Sequence, residues 1–228
     1  GYSQAQFLDH AQRLAQALPA HGFNAFVLYY RTGEGCGPKP QEDIAHAMAY
    51  LREHAKKYHV QPDSIAVMGF SAGGHLAGSY CTMRARPEIT EDYPLRSIAG
   101  AILGYSVVSA DPSVGHMNSF YNLLGHDADT PQLMQAYSLE TNVDKAITPP
   151  TFLWHSCTDH SVNAVNSLRY GEALQYAGIP FEMHIFPTGR HGVGTADRQA
   201  VHDYREADNQ YVSQWIHLAK GWLKEYIL

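Results

Sequence analysis

Residues 65–77 read IAVMGFSAGGHLA, and no other stretch limits the fold of this 228-residue chain as tightly. A strand-length apolar run enters Gly69-Phe70-Ser71-Ala72-Gly73, and an Ala/Leu-rich helical run leaves it. Strand, tight turn and helix in that order are the local signature of a serine lifted above the edge of a parallel sheet. In so sharp a turn, side chains two residues either side of the serine collide with neighbouring backbone. Glycines at 69 and 73 are therefore expected to remove the clash and let Ser71 hold a strained conformation. The helix that follows points its N-terminus at the serine, which favours negative charge developing there.

The rest of the chain alternates strand-like and helix-like segments, the pattern of a mostly parallel sheet covered by helices. Apolar positions 7, 8, 11, 14, 15 and 18 recur at helical spacing. Residues 25–30, AFVLYY, read as a buried parallel strand. Residues 44–55 trace a second helical stripe. Further strands are expected at 65–68, 98–103, 151–154 and 181–186, with helices at 72–84, 164–176 and 209–226. Together these give a three-layer α/β/α sandwich in one domain over residues 1–228. Residues 106–150 lack a clean period and are rich in Tyr, His, Asn and Asp, so they read as a small lid-like or cap-like insertion.

A serine hydroxyl needs a histidine to take its proton and a carboxylate to orient that histidine. On a sheet of this kind both should follow the serine in the chain, acid first, at the carboxyl ends of later strands. Asp159 follows the strand at 151–154 in a polar loop. His191 follows the strand at 181–186 between Gly189 and Gly192. His160 adjoins its own candidate acid and would point away from it, and His75 is expected to pack inside the helix after the turn. The backbone N–H of Ala72 is a candidate oxyanion donor, with Gly1 as the second. Tyr2, Tyr105 and His116 are expected to wall a pocket.

Composition excludes other classes. The formal net charge of −6 and the lack of a basic run argue against a nucleic-acid partner. No apolar run approaches the roughly 18 residues of a membrane span. The fourteen histidines show no metal-binding spacing such as HExxH, so neither metal nor cofactor is expected. Cys36, Cys81 and Cys157 form no CxxC motif, and their odd number favours a reducing, cytoplasmic setting.

Segments 69–77 (GFSAGGHLA), 149–155 (PPTFLWH) and 184–192 (HIFPTGRHG) together resemble the acetyl-esterase and carbohydrate-esterase branch of the α/β-hydrolases, over essentially the whole chain. The resemblance implies cofactor-free hydrolysis of small acyl esters, acetyl above all, with a small-molecule ester as the partner. It implies Ser71 as nucleophile, Asp159 as orienting acid and His191 as base. Asn163 stands after Val162 where the family usually has proline. A prolyl-oligopeptidase-like peptidase shares the order of the three residues but normally carries a second domain. A non-catalytic binding protein of the same fold would break at least one of the three.

The family's Gly-rich oxyanion loop would end about where this sequence starts, and no strand precedes the first helix. The expectation is therefore an N-terminally incomplete sheet, with Gly1 the stub of that loop and its N–H facing Ser71.

Overall fold

A computed structural model describes residues 2, 8–18, 22–90, 95–195 and 210–227. The chain runs α1 (Leu8–Ala17), α2 (Lys39–Glu53), α3 (Ala55–Tyr58), β1 (Ala66–Phe70), α4 (Ala72–Met83), α5 (Pro87–Thr90) and β2 (Gly100–Gly104). It continues through α6 (Met117–Leu124), a 3-10 turn (Gly125–Asp129), α7 (Pro131–Ala136), β3 (Thr151–Ser156), α8 (Val165–Ala177), β4 (Phe181–Phe186) and α9 (Gln210–Tyr226). The four strands among the described residues are parallel and lie in the order β1-β2-β3-β4.

Side-chain alternation along the central strands divides the core in two. Ala101, Leu103 and Leu153 join Ile44, Met48, Leu76, Cys81, Tyr170 and Leu174 of α2, α4 and α8 on one face. Ile102, Phe152 and Trp154 join Leu14 of α1 and Val212, Trp215, Trp222 and Leu223 of α9 on the other. Helices thus cover both faces, and every residue of β2 and β3 is buried. Strands buried on both sides need apolar residues at every position, which is why 100–104 and 151–154 read as unbroken apolar runs.

Helix ends follow local chemistry. Proline opens the first turn of α2, where its missing N–H costs nothing, with Glu42 in the first turn and Arg52 in the last. Gly178 closes α8 at φ 65°, a left-handed cap that a residue without Cβ adopts freely.

Residues 25–30 do not form the expected strand. They carry no regular structure, and Phe26, Leu28 and Tyr29 are 47%, 38% and 60% exposed. The apolar pattern is present, but a strand exists only where a neighbour takes its backbone hydrogen bonds, and among the described residues none does. On the same terms β1 has a ladder partner on one side only. Residues 106–150 fold as α6, the 3-10 turn and α7 over the carboxyl end of β2, with the chain on either side anchored by Leu139 N–H to Val108 O.

The turn glycines differ from expectation in one respect. A Cβ on Gly69 would run into the carbonyl of Gly73, as the sequence suggests. A Cβ on Gly73 would meet only the Tyr30 hydroxyl at 3.9 Å, whereas one on Gly74 would overlap the Ser106 side chain. The helix packs against the segment after β2 through position 74, so the second obligatory glycine is there. Gly69→Ala and Gly74→Ala are each expected to destabilise the fold by about 3 kcal/mol or more. Gly73→Ala should leave stability level or raised, since alanine is the better helix former by roughly 1 kcal/mol. Urea unfolding of the three variants checks the ranking; equal losses at 73 and 74 would contradict it.

Candidate active site

Ser71 sits between β1 and α4 at φ 56°, ψ −128°, a region a residue with a side chain enters only when its surroundings hold it there. Four backbone hydrogen bonds do so. Its N–H donates to Gly104 O at 3.1 Å, and its carbonyl accepts from Gly74, His75 and Val107 at 3.0, 3.1 and 3.2 Å. The hydroxyl is then presented at the carboxyl end of the sheet, 2.7 Å from Nε2 of His191. His191 comes from the loop after β4, and its Nδ1 lies 2.7 Å from Oδ2 of Asp159 in the loop after β3. Three residues spread over 120 positions are thus joined by two short hydrogen bonds, and His160 is exposed and outside the chain of contacts.

Asp159 is buried, and its other oxygen accepts the N–H groups of Ser161 and Val162, both at 2.9 Å. Burial pushes its carboxyl up. Hydrogen bonds from His155, His191 and Val162 outweigh that push and hold it well below the usual carboxylate range. An ionised carboxylate only accepts, so Nδ1 of His191 carries the imidazole proton and Nε2 presents its lone pair to the Ser71 hydroxyl.

His155 is a neighbour of the acid that the sequence reading passes over. It is fully buried in β3, with Nε2 2.9 Å from Val162 O and 3.4 Å from Oδ2 of Asp159. A carbonyl and a carboxylate on the same side put the proton on Nε2, so Nδ1 accepts from Ser167 at 2.8 Å. His155 therefore ties β3, the acid loop and α8 together at the carboxylate. Its place in PPTFLWH was visible, but nothing in one sequence says that its ring meets the carboxylate four residues further along the chain.

Ala72 is the first residue of α4, so its N–H has no acceptor within the helix. Gly1 lies outside the described residues. Tyr2 is 2% exposed, and its hydroxyl donates to Nδ1 of His75 at 2.6 Å, so its side chain braces the underside of α4 rather than lining an open pocket. Tyr105 is also buried. Its ring packs edge-on against His191 at 5.0 Å, and its hydroxyl accepts from Gly194 N–H at 3.3 Å, which steadies the loop that carries the histidine. His116 is half-buried at the start of α6, with Nδ1 2.9 Å from Ser119 Oγ. Burial lowers its pKa. Phe120 is buried against His75 and Tyr121 is 46% exposed. No cluster of metal-ligating side chains occurs among the described residues.

His75 packs as expected, with Nε2 donating to Tyr137 O at 2.9 Å. Burial drives its pKa down to about 4, against an ordinary value of 6.5. The folded value is the lower one, so His75 contributes stability that is fully present above about pH 6.5 and is lost as pH falls towards 4. The unfolded chain takes up a proton there that the folded chain refuses. Full loss amounts to about 3 kcal/mol. Unfolding free energy measured from neutral pH to pH 4 is expected to fall, and to fall less steeply in His75→Gln. Equal slopes in the two proteins would show that other groups govern the acid limb.

A doubly covered parallel sheet with a strained serine at the end of one strand, and an acid and a histidine after later ones, is the α/β-hydrolase architecture. Within it, the chain belongs to the BD-FAE family of α/β-hydrolase esterases, which it matches over residues 2–174. It is 31% identical over 208 residues to an acetylxylan esterase of Xylanibacter ruminicola, covering 89% of this chain and 41% of that protein. It is 34% identical over 194 residues to endo-1,4-beta-xylanase B of Butyrivibrio fibrisolvens, covering 77% and 28%. The chain thus spans less than half the length of these two relatives. Among solved structures, an acetyl ester-xyloside bifunctional hydrolase from Caldicellulosiruptor lactoaceticus superposes with a TM-score of 0.83 at 35% identity, over 99% of this chain and 80% of that one. No helix among the described residues is long and apolar enough to cross a membrane.

Proposed function

We propose that the protein is a serine carboxylic-ester hydrolase that removes acetyl groups, from sugar hydroxyls in particular. The observation that carries this reading is the unbroken relay from the Ser71 hydroxyl through His191 to Asp159, at 2.7 Å in both links. Ser71 Oγ gives its proton to Nε2 of His191 and attacks the ester carbonyl carbon. Asp159 holds the imidazole in the tautomer that can accept this proton and balances the imidazolium that forms. The oxyanion is held by Ala72 N–H at the start of α4, with the backbone N–H of Gly1 proposed as second donor. Collapse expels the alcohol, which leaves with the proton from Nε2, and an acetyl group remains on Ser71. Water, deprotonated by the same nitrogen, then releases acetate and restores the hydroxyl. Metal and cofactor have no part in this sequence of steps.

The acetyl preference rests on the named activities of the relatives and on the buried Tyr105 ring packed against His191. Nitrophenyl esters of rising acyl length test it. The acetyl ester is expected to have the higher kcat/KM and the octanoyl ester the lower, by roughly tenfold or more for a pocket too short for the chain. Release of acetate from acetylated xylo-oligosaccharides should accompany this. A profile that rises towards octanoyl would indicate a lipase-like enzyme instead.

A further inference from the structure

His191 rides on the loop after β4, and glycines bracket it: Gly189 at φ 147° and Gly192 at φ 76°. Glycine has the widest backbone freedom, so such a loop needs outside contacts to hold an imidazole in one place. On the far side of His191 the Tyr105 hydroxyl takes the Gly194 N–H. On the near side the contact is made by Thr158, the residue directly before Asp159. Its Oγ1 accepts from Gly189 N–H at 2.9 Å and donates to Gly189 O at 3.1 Å.

These two bonds belong to a series. Strands β3 and β4 pair as far as Ser156 against Phe186. Beyond them Cys157 N–H donates to Phe186 O at 2.8 Å, Thr158 takes both backbone groups of Gly189, and Asp159 reaches His191 at 2.7 Å. Three consecutive residues of the acid loop thus hold the histidine loop, first by backbone, then by one hydroxyl, then by the carboxylate. The approach at Gly189 is so close that a Cβ there would overlap the Ser156 hydroxyl. The Asp159 carboxylate is fixed from within its own loop by the N–H groups of Ser161 and Val162. It therefore moves with that loop, and its link to His191 depends on the register between the two loops. A hydroxyl can donate and accept at once, and on a β-branched residue its χ1 is restricted. Valine has the same shape and can do neither.

We infer that Thr158 is a positioning residue: its hydroxyl, closed on both backbone groups of Gly189, sets the histidine loop against the acid loop and so keeps His191 Nδ1 within reach of Asp159. The kinetic consequence rests on the esterase reading of Ser71; the geometry of the clasp does not. Thr158 touches neither substrate nor reacting atoms and acts only through the placing of the imidazole. A shift of about 1 Å in a catalytic group can cost on the order of 10²-fold in rate, so a hydroxyl outside the relay can govern turnover.

Thr158→Val and Thr158→Ala both remove the hydroxyl at an exposed position, and Thr158→Ser keeps it. For 4-nitrophenyl acetate the first two are expected to lower kcat about tenfold or more with KM unchanged, the pattern of an interaction that matters in the transition state, and serine should recover most of that loss. Thermal unfolding establishes that each variant is folded. A second readout needs no substrate. The proton in the short bond between His191 Nδ1 and Asp159 gives a downfield NMR resonance, identified by its loss in His191→Gln. That resonance should stay sharp in wild type and Thr158→Ser and broaden by exchange with water in Thr158→Val and Thr158→Ala. Unchanged kcat in Thr158→Val and Thr158→Ala, an equal loss in Thr158→Ser, or an unaltered resonance in Thr158→Val would overturn the clasp and leave the esterase reading intact. A wild-type protein that hydrolyses no ester would overturn the esterase reading, with the resonance still deciding the clasp.

Discussion

Ser71→Ala is expected to abolish labelling by a fluorophosphonate probe and to lower ester turnover by at least ~10³-fold, with the fold retained. The substitution removes the one oxygen placed 2.7 Å from Nε2 of His191 and leaves its surroundings in place. The strained backbone at φ 56° is no harder for alanine than for serine, and the four hydrogen bonds that hold it are made by backbone atoms. Thermal unfolding should therefore stay near wild type while activity disappears. A variant that kept near-normal turnover would show that the relay is not the reactive centre.

Asp159→Asn is expected to cost about 10³–10⁴-fold in kcat, again without loss of fold. The carboxylate accepts on both oxygens: Ser161 and Val162 N–H on one, His191 and His155 on the other. An asparagine has one oxygen and one NH₂ group. If its oxygen stays with the two backbone N–H groups, its NH₂ faces His191 and forces Nδ1 to accept. The imidazole proton then moves to Nε2, the nitrogen that must be free to take the proton from Ser71. Turned the other way, the NH₂ opposes two backbone donors and the acid loop is displaced. Asp127→Asn, at an exposed position in the 3-10 turn, should leave the rate unchanged. A similar fall in both variants would assign the effect to general loss of acidity rather than to the tautomer of His191.

Much of this arrangement was legible because its causes are local. The GFSAGG turn is forced by a backbone approach so close that only glycine fits at position 69, and any chain carrying that turn needs a strand before it and a helix after it. Strands β2 and β3 announced themselves because burial on both faces demands apolar residues at every position. Asp159 and His191 were placed by chain order and by strand ends.

Elsewhere the same kind of signal misled. Residues 25–30 are as apolar as any strand in the sheet, but hydrophobicity describes what a segment could bury and not whether a partner backbone lies alongside. Gly73 and Gly74 are adjacent and chemically identical, and only the position of Ser106 shows which one has no room for a methyl group. Tyr2 and Tyr105 were expected to wall a pocket, yet both are buried supports whose hydroxyls are committed to His75 and the Gly194 N–H.

The sequence by itself determined the class of fold, the serine and its turn, and the order in which acid and base follow, because period, glycine spacing and strand length are set within a few residues of the chain. The tertiary structure alone decided the two 2.7 Å links of the relay and the second histidine at Asp159. Each of those depends on side chains from separate strands and helices meeting at one point. Such meetings are fixed by how the layers pack, and packing is a property of the whole chain that no single segment records.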